Sequence, residues 1–596
     1  MQKKNLKIKI VFFLIIIFTF SYFYGKKLNI NESATDIGTK SVANLNNWVY
    51  WQHYDGRSGN VPNESAGGRY TENEIGVIYQ DGFVWGGYVQ DSDPDLRVGG
   101  QTYNIGTQPG WIIENDDSLS SASTNDSTVR IYRYREDIFT VWDEEFKQDV
   151  SDLYDISKGQ VTQQQIETVK KQYEKDRKEW PVEHGAPYYD RNRNGKWDPE
   201  YDEPGILGAD QVLYYVVNDL DETRTKNLYG SMPIGIELQI TIWNYKYTEG
   251  ALGQTIYKRY RLINKSGSEI DSMFVGQFAD LDIGSYGDDY SGCDSVLQMG
   301  YCYNYTPFEP IYPLAPVSVG YTLLQGPVDE SQGDTAITNS DFLFDYKNLP
   351  MTAFWYKATG MACGDPIPGE YTGTIWLYRI LNGFRPCDGE PFIHGAGPNK
   401  GQTTKFQVNG DPVTGTGDLD GQGNNFSAGD RRFYISSGPF NMAPGDTQDV
   451  IIAIVGGLAE DNIASVSEMR ENVKLIRNAF KDRVNYIPPE GPIEPVKRKI
   501  PEEINFFLLG NNWPNPFNAE TTIKFKLFSK KEVSLVIYNI LGEKIKVIYQ
   551  GEQGIGEYFF TWDGMDKNRK EVSSGVYFAV LSDGLQYQTK KLILIK

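Results

Sequence analysis

The sequence is poor in histidine and lacks the common enzyme signatures. Its 596 residues include three histidines, His53, His184 and His394, each isolated in sequence. There is no G-x-S-x-G, H-E-x-x-H, P-loop or C-x-x-C-H motif. These absences disfavour a His-based triad, a zinc protease, an NTPase and a c-type cytochrome. A glycosidase stays open, because its two carboxylates need no fixed spacing in sequence.

Positive charge is also scarce. Lys and Arg number 58 against 79 Asp and Glu, and the net charge is -21. A phosphate backbone would be repelled, so we expect no nucleic-acid partner. The balance suits an extracellular protein or one that binds cations. The length predicts about three domains.

Cysteine is limited to four residues, Cys293, Cys302, Cys363 and Cys387. An even number permits disulfides in an exported protein. Local spacing suggests Cys293–Cys302 and Cys363–Cys387, but four cysteines allow three connectivities. Four buried thiols are the alternative, and we expect at least one disulfide.

The N-terminus has the pattern of a signal peptide over residues 1–25. Four lysines precede an apolar run from Ile10 to Phe20. The run is shorter than the roughly 20 residues of a membrane-spanning helix, and no lipobox cysteine is nearby. An uncleaved anchor extended through Tyr22–Tyr24 is the alternative. We expect export, with no membrane span after removal of the signal.

The composition predicts a mainly β protein, with an antiparallel β-sandwich body of several domains and two short helices. Gly 60 and Tyr 40 suit strands and turns. Residues Ile234–Ile242 alternate as in a half-buried strand, and Asp81-Gly82 predicts a hairpin turn. Capping boxes predict helices over Thr162–Trp180 and Ser465–Phe480. The predicted regions are a β-rich region at 26–125, a helix and acidic loop at 126–210, and a sandwich at 211–485.

A Pro-rich linker at 486–503 separates this body from a C-terminal module at 504–596. Proline favours extended, semi-rigid geometry in the linker. Beyond it, short alternating strands recur between Gly-containing turns. This spacing predicts a small Ig-like β-sandwich.

The module also resembles a known family. Its motifs are Asn512-Trp513-Pro514-Asn515-Pro516-Phe517-Asn518, Ile537-Tyr538-Asn539-Ile540-Leu541-Gly542, Trp562-Asp563-Gly564-Met565-Asp566 and Ser574-Gly575-Val576-Tyr577-Phe578, before a basic-apolar strand ending in Lys596. They resemble the type A C-terminal sorting domains of the type IX secretion system. The Trp-Asp-Gly motif is shared with the Ig-like domain of flagellar hook-capping proteins. Ala519 replaces the usual final proline of the opening motif.

The resemblance implies recognition by an outer-membrane secretion machine, followed by removal or surface attachment. It implies no catalytic activity. A module that only adds stability would have the same fold. The body resembles uncharacterised regions of other sorting-domain proteins, which bring no activity with them, through Asn218–Asp221, Tyr229–Gly235, Asp280–Gly284 and Gly292–Asp294.

The clearest candidate for a metal site is the loop that begins at Asp190. Calcium takes six to eight oxygen ligands, and alternate side chains of a tight loop converge on one ion. The spacing predicts such a loop, with Lys196 offering its carbonyl oxygen and the closing ligand shifted by comparison with an EF-hand. The candidate ligands are Asp190, Asn192, Asn194, Lys196, Asp198, Asp202 and Glu203. A turn without an ion is the alternative.

Two further acidic segments are candidates for calcium sites. One is Gly-rich and carries Asp418, Asp420 and Asp430; a flexible loop without an ion is its alternative. The other carries Asp280, Asp282, Asp288 and Asp289, followed by Asp294. Carboxylates so close in sequence repel one another unless a cation, a basic partner or water separates them.

These patterns together predict a secreted or cell-surface protein with a calcium-stabilised, β-rich body. Its role would be binding, adhesive or structural, with an extracellular glycan or protein as ligand. The predicted route is inner-membrane export followed by the type IX secretion machinery. The competing interpretation is a secreted hydrolase acting on polysaccharides, for which the sequence identifies no carboxylate pair.

Overall fold

The computed structural model describes most of the chain between residues 38 and 596. The described ranges are 38–59, 67–71, 76–91, 93–115, 118–309, 316–338, 341–423, 426–482, 507–527, 530–540, 542–554, 556–583 and 587–596. The predicted signal peptide and the predicted Pro-rich linker lie outside them. The chain forms two compact units, Met1–Ile138 with Trp142–Tyr189 and Pro204–Pro488, and Phe139–Val141 with Asp190–Glu203 and Pro489–Lys596.

Strands dominate the described part of residues 38–482. They are β1 (Lys40–Ala43), β2 (Trp48–His53), β3 (Gly68–Tyr70), β4 (Gly76–Ile78), β5 (Gln80–Val89), β6 (Leu96–Gly100), β7 (Gln108–Pro109), β8 (Ile112–Asn115), β9 (Ser118–Ser121), β10 (Tyr132–Arg135), β11 (Tyr188–Tyr189), β12 (Glu203–Pro204), β13 (Gln211–Asn218), β14 (Ile236–Asn244), β15 (Thr255–Asn264), β16 (Ile270–Leu281), β17 (Asp289–Asp294), β18 (Met299–Asn304), β19 (Ser318–Gln325), β20 (Val328–Thr338), β21 (Asp341–Asn348), β22 (Ala353–Ala358), β23 (Phe392–Ile393), β24 (Thr403–Thr404), β25 (Arg431–Met442) and β26 (Thr447–Gly457). The helices are α1 (Asp143–Tyr154), α2 (Gln163–Lys178), α3 (Glu222–Tyr229), α4 (Gly250–Gly253), α5 (Tyr371–Leu381) and α6 (Asn462–Asp482).

Two large antiparallel sheets make the core of the first unit. One has the order β10-β13-β14-β15-β26-β19-β18-β17, with β7 added to β13, and the other has the order β22-β25-β16-β5-β6. Alternate residues of both sheets meet in one buried apolar cluster, for example Leu238 and Ile240 of β14 with Val275 of β16. The unit is therefore a β-sandwich, as the alternation in Ile234–Ile242 predicts.

Helices cover the outer faces of the two sheets. Leu377 and Leu381 of α5 and Leu228 of α3 pack on the outer face of the five-stranded sheet. Val466 and Met469 of α6 are buried at the nine-stranded sheet, where Gly457 leaves room for the Met469 backbone. The fold is mainly β, as predicted, but it has more helices than the two that capping boxes indicate.

The helix from Thr162 begins as its capping box predicts. Thr162 Oγ1 accepts the Gln165 N–H at 3.3 Å, and the Gln165 side chain accepts the Thr162 N–H at 2.9 Å. The helix start predicted from the second capping box, at Ser465, is wrong. Helix α6 begins three residues earlier, because Asp461 accepts the N–H groups of Ile463 and Ala464.

The predicted Asp81-Gly82 turn is also wrong, since both residues lie inside β5. Asp81 is fully buried beside Lys258, whose Nζ lies 3.2 Å from Asp81 Oδ1. Asp81 Oδ2 accepts the Tyr321 hydroxyl at 2.7 Å. Gly82 is needed because a Cβ there would lie 2.2 Å from the Gln101 carbonyl oxygen. A polar network in the core thus replaces the expected turn.

The described C-terminal residues of the second unit form a seven-stranded sandwich. Its strands are β27 (Phe507–Leu509), β28 (Thr521–Leu527), β29 (Lys531–Asn539), β30 (Lys544–Gln553), β31 (Gly556–Trp562), β32 (Gly575–Ser582) and β33 (Tyr587–Leu594). They pair as β27-β28-β31 and as β30-β29-β32-β33. Ile523, Phe525 and Leu527 alternate inwards and share a core with Leu535 and Leu581. No described helix of the protein has the length and hydropathy needed to cross a membrane.

Candidate functional site

The best-formed candidate site lies where β16 turns into β17. We call Asp280, Asp282, Asp288, Asp289 and Glu309 the acidic cluster. Asp280 lies near the end of β16, and Asp289 is the first residue of β17. Gly284, at a φ of 75°, allows the connecting loop to approach the Glu309 side chain, because a Cβ there would lie 2.9 Å from Glu309 Cδ. Local turn geometry and strand pairing therefore bring the carboxylates together.

Strand pairing adds a residue that the acidic pattern alone does not indicate. The β17–β18 register places Asn304 opposite Asp289. Asn304 Nδ2 donates to Asp288 Oδ2 at 3.2 Å and to Glu309 Oε2 at 2.9 Å. The Ile283 N–H donates to Asp289 Oδ2 at 3.1 Å. Asn304 and Glu309 carry no local sequence signal, because they join the cluster only through the hairpin.

Several carboxylate oxygens of the acidic cluster are buried without a hydrogen-bond donor. They are Asp280 Oδ1, Asp288 Oδ1 and Asp289 Oδ1. Asp289 is fully buried, and Asp280 is 5% exposed. Buried polar atoms are normally satisfied, and an ionised carboxylate without a partner is costly. These oxygens therefore need a proton, a cation or a bound water.

Burial is the main cause of a pKa well above the usual value for both Asp280 and Asp289. The Asp282 charge raises the pKa of both carboxyls further, and that of Glu309 raises the pKa of Asp289. Burial, assisted by the Asp430 charge, raises the pKa of Asp282 to about 6. A cation would reverse these shifts, because it favours the ionised form.

The carboxylate oxygens of the acidic cluster lie farther apart than those around a bound metal ion. Among the described residues, one group of three His, Cys, Asp or Glu ligand atoms meets within 4.8 Å, that of Cys363, Cys387 and Asp388. Its two sulfurs are already joined in a disulfide. Cation binding at the cluster would therefore need carboxylates such as Asp288 to rotate inwards.

The structure gives the Asp418–Asp430 segment protein partners instead of open oxygens. Asp420 forms a fully buried ion pair with Arg431, with Nε 2.6 Å from Oδ2. Asp430 pairs with Arg432 at 2.9 Å. Asp418 accepts the Ala396 N–H at 2.9 Å and lies 3.1 Å from His394 Nδ1. Arginine already neutralises two of these carboxylates, so we do not propose a calcium site here.

The Asp190 loop has the compact geometry that its spacing predicts. Asp190 accepts the N–H groups of Asn194 at 3.2 Å and Gly195 at 2.7 Å. Asp202 accepts those of Arg191 at 3.1 Å and Asp198 at 2.8 Å. Gly195 has a φ of 71°, as the sharp turn requires.

Carboxylates from both ends of this loop influence one another. Burial raises the pKa of Asp202, although the hydrogen bonds from the backbone N–H groups of Asp198 and Arg191 lower it. The charges of Asp190 and Asp198 add to the rise. Glu203 contacts the Arg191 guanidinium instead. Asn192 and Asn194 accept the N–H groups two residues further along the chain, those of Asn194 and Lys196. The predicted ligands thus lie in one turn, apart from Glu203, whose carboxylate has a basic partner.

One of the two locally spaced disulfides is present. Cys363 and Cys387 are bonded, whereas Cys293 and Cys302 are buried free thiols. The predicted Cys293–Cys302 bond is therefore wrong. The β17–β18 register places Cys293 opposite Gly300 and Cys302 opposite Ser291, so the two thiols occupy diagonal positions. Burial raises the pKa of both thiols well above the usual value, which leaves them unreactive.

In the C-terminal module, the opening motif lies along the last strand. Asn515 Oδ1 accepts the Ile593 N–H at 2.8 Å, and Asn515 Nδ2 donates to the Lys591 carbonyl at 3.1 Å. Phe517 exchanges backbone hydrogen bonds with Ile593 and Ile595. The motif therefore covers the outer edge of β33, which would otherwise be open to pairing.

The other motifs also hold the module together. Trp562 is fully buried and packs on Phe517 and Tyr577, with ring centroids 5.5 and 5.0 Å apart. Asp563 accepts from Lys546, while Lys596 donates to Ser574 Oγ and pairs with Glu571. The remaining motif positions lie on the same frame: Pro514 and Pro516 flank Asn515, Asn518 follows Phe517, Gly542 and Gly564 have positive φ, and Gly575 and Val576 begin β32.

Comparisons with known proteins agree with this description of the module. Residues 510–583 match the FlgD Ig-like domain. The chain thus has an Ig-like region of the FlgD type near its C-terminus, within a mainly β protein. A search of the curated proteins finds no match.

Among solved structures the likenesses are distant. A polysaccharide lyase matches at 8% identity and a TM-score of 0.15, covering 60% of this chain and 34% of the lyase. Dimeric latent PorU from Porphyromonas gingivalis matches at 10% identity and a TM-score of 0.14, covering 65% of this chain and 31% of PorU. The adhesin domain of Epf from Streptococcus pyogenes matches at 8% identity and a TM-score of 0.12, covering 64% of this chain and 87% of the adhesin domain. The chain thus spans about a third of the first two structures, and such TM-scores carry no functional argument.

Proposed function

We propose that this protein is a secreted or cell-surface β-rich protein whose body is stabilised by Ca²⁺ at the acidic cluster. Its role is binding, adhesive or structural. The C-terminal module directs export through the type IX secretion machinery. The observation that carries the calcium proposal is the set of buried, donor-free oxygens on Asp280, Asp288 and Asp289.

The chemistry of the acidic cluster favours calcium over other metals. All its charged members are carboxylates, and Asn304 holds two of them, Asp288 and Glu309, through its amide N–H groups. Hard oxygen donors in irregular geometry suit Ca²⁺, whereas Mg²⁺ demands a near-ideal octahedron. Zinc would need nitrogen or sulfur ligands. The ion would neutralise charges that burial alone makes unfavourable.

The Asp190 loop is a second proposed calcium site. Its support is the turn that collects Asp190, Asn192, Asn194, Asp198 and Asp202 in one place. The Lys196 carbonyl is the proposed backbone ligand. Asp190→Asn is expected to weaken one class of calcium sites without changing the other, as measured by isothermal titration calorimetry.

A calcium titration of the full chain tests the acidic cluster. We expect Ca²⁺ to raise the melting temperature, and Asp289→Asn to remove the part of that rise due to this site. Asn removes the charge but keeps the shape, so the variant should be at least as stable as wild type in EDTA. Asp420→Asn is the matched control, because that buried carboxylate has Arg431 as its partner. It should lose stability with and without calcium.

Two results contradict the calcium proposal. One is an equal calcium response in wild type and Asp289→Asn. The other is a loss of stability in Asp289→Asn that is as large as that in Asp420→Asn when EDTA is present.

The export proposal is supported by the sorting motifs and the Ig-like fold of the module. Cell fractionation of the native host, with mass spectrometry of the mature termini, tests it. We expect a surface or medium form that lacks the N-terminal signal. Deletion of residues 504–596 should leave the protein in the periplasm. Full-length protein in the cytoplasm or inner membrane would contradict the proposal.

A further inference from the structure

A buried lysine–aspartate pair connects the two large sheets of the first unit. Lys258 lies on β15 of the nine-stranded sheet, and Asp81 lies on β5 of the five-stranded sheet. Lys258 Nζ is 3.2 Å from Asp81 Oδ1, and the two side chains are 2% and 0% exposed. Replacing a buried ion pair by apolar side chains of similar volume is often neutral or stabilising. Stability alone therefore does not explain why the core contains this pair.

The surroundings of the pair favour its uncharged form. Lys258 stands opposite Ile242 and Ile452 on the neighbouring strands, and both isoleucines are buried. The centroid of the Tyr50 ring lies 5.2 Å from Lys258 Nζ. Burial lowers the pKa of the Lys258 ammonium, although the Asp81 carboxylate opposes this effect. Transfer of a proton from Nζ to the carboxylate would remove two buried charges and leave a nucleophilic amine beside a carboxyl group.

Three hydroxyl groups hold the two side chains in place. Asp81 Oδ2 accepts the hydroxyls of Tyr50 at 2.5 Å and of Tyr321 at 2.7 Å. Ser58 Oγ contacts Asp81 Oδ1 and lies 3.1 Å from Lys258 Nζ. The two tyrosines are therefore placed to stabilise negative charge on Oδ2, as the donors of an oxyanion hole do. The serine can pass protons between Nζ and Oδ1.

We propose that Lys258 and Asp81 condense to an intramolecular amide that cross-links the two sheets. Lys258 Nζ attacks Asp81 Cγ, so that the Nζ–Cγ bond forms and the Cγ–Oδ1 bond breaks. One proton of the ammonium group stays on the amide nitrogen, and the other two leave with Oδ1 as water. The reaction needs no oxidant and no other reactant. It converts a buried ion pair into a neutral group.

The polar atoms of the product would remain satisfied. Asp81 Oδ2 becomes the carbonyl oxygen and keeps its two tyrosine donors, while the amide N–H can donate to Ser58 Oγ. The new bond would close a loop with a sequence separation of 177 and restrict the unfolded chain, as a disulfide does. The inference goes beyond the proposed function and depends on neither the calcium site nor the export route.

Mass spectrometry of the full chain, denatured and with its disulfide reduced, tests the amide. We expect a mass lower than that of the unmodified chain by the mass of one water molecule. After digestion with trypsin, Asp81 and Lys258 should lie in one branched peptide, without cleavage after Lys258. Lys246 and Asp137 provide an internal control, because their atoms are 2.7 Å apart but the lysine side chain is 40% exposed. These two residues should remain in separate, unmodified peptides.

Two variants test the chemistry. Lys258→Arg keeps a cation beside Asp81, but its guanidinium stays protonated and cannot form this amide, so the variant should lose no water. Tyr321→Phe removes one donor to Asp81 Oδ2 and should slow amide formation by roughly 100-fold. The rate is read as the cross-linked fraction of pulse-labelled protein against time after synthesis, and equal rates would contradict the role of the tyrosine.

Three results overturn the inference. The wild type has the mass of the unmodified chain, the branched peptide joins other residues, or Lys258→Arg loses the same mass. The first two are read on the wild type, so a variant that fails to fold cannot obscure the answer.

Discussion

Calcium stabilisation should depend on pH in a way that the acidic cluster determines. Burial and the Asp430 charge raise the pKa of Asp282 from 3.8 to about 6. Between these values the unfolded chain has lost the proton and the folded protein still holds it. Without calcium, the free energy of unfolding therefore falls as pH rises through this window. Calcium binds the ionised form, so its stabilising effect should appear as the pH rises towards 6 and above.

The size of the effect follows from the same shift. A rise of roughly two pKa units corresponds to about 3 kcal/mol of lost stability at neutral pH. Calcium at about 100 times its Kd adds about 2.7 kcal/mol. The roughly 470 residues of the first unit imply an unfolding entropy of about 1 kcal/mol/K. We therefore expect a calcium-dependent rise in melting temperature of about 3 °C at pH 7 and almost none at pH 4.

Differential scanning calorimetry of the full chain from pH 4 to pH 7, with calcium and with EDTA, provides the measurement. The difference between the two curves matters, because the pKa of Asp152 and that of Asp176, both outside the cluster, are also raised to about 6. Those residues change both curves alike. A calcium increment of the same size at pH 4 and pH 7, or none at either pH, would refute the reasoning.

Three further changes test other parts of the structure. Lys258→Met leaves the buried Asp81 without its cation and should lower the free energy of unfolding by about 3–5 kcal/mol. Adding Asp81→Asn should restore part of this loss. An unchanged denaturation curve would contradict the importance of this ion pair. Asn515→Ala removes two hydrogen bonds to the last strand and should speed proteolysis within 507–596, and equal cleavage rates would count against the edge contact. Cys363→Ser removes the disulfide that closes a loop with a sequence separation of 24, and it should lower the free energy of unfolding by about 3 kcal/mol. Equal melting temperatures for the oxidised and the reduced wild type would contradict this prediction.

Local patterns in the sequence predicted the elements whose causes are local. Ile236–Asn244 pairs with β13 and β15, as its alternation predicts, but the expected half-burial is wrong, because both faces of the strand are buried. The Thr162 capping box and the strands of the C-terminal module follow the same logic. No local pattern predicts helix α5, because its sequence YTGTIWLYRIL contains β-branched and aromatic residues that favour strands. Packing on the five-stranded sheet overrides this preference.

Distant partners explain what local patterns could not predict. Asp81 lies in a strand and not in a turn, and its buried carboxylate pairs with Lys258. A local pattern cannot predict this contact, because Lys258 is 177 residues further along the chain. Asp420 lies in an acidic, Gly-rich segment, but Arg431 reaches it across a bend and occupies its oxygens. The acidic cluster was only partly predicted, since Asn304 and Glu309 join through strand register. Sequence shows where carboxylates are dense, and the fold decides which of them keep free oxygens.

The contact between the opening motif and β33 also joins the two ends of the module. Asn515 binds backbone groups 76 and 78 residues further along the chain. The edge of the module therefore cannot close until Lys591 and Ile593 have been synthesised, so a chain that stops earlier leaves the motif without its strand. Under the export role proposed above, a secretion receptor that recognises the closed module would accept finished chains and reject truncated ones. The module would then act as a completeness check on its cargo.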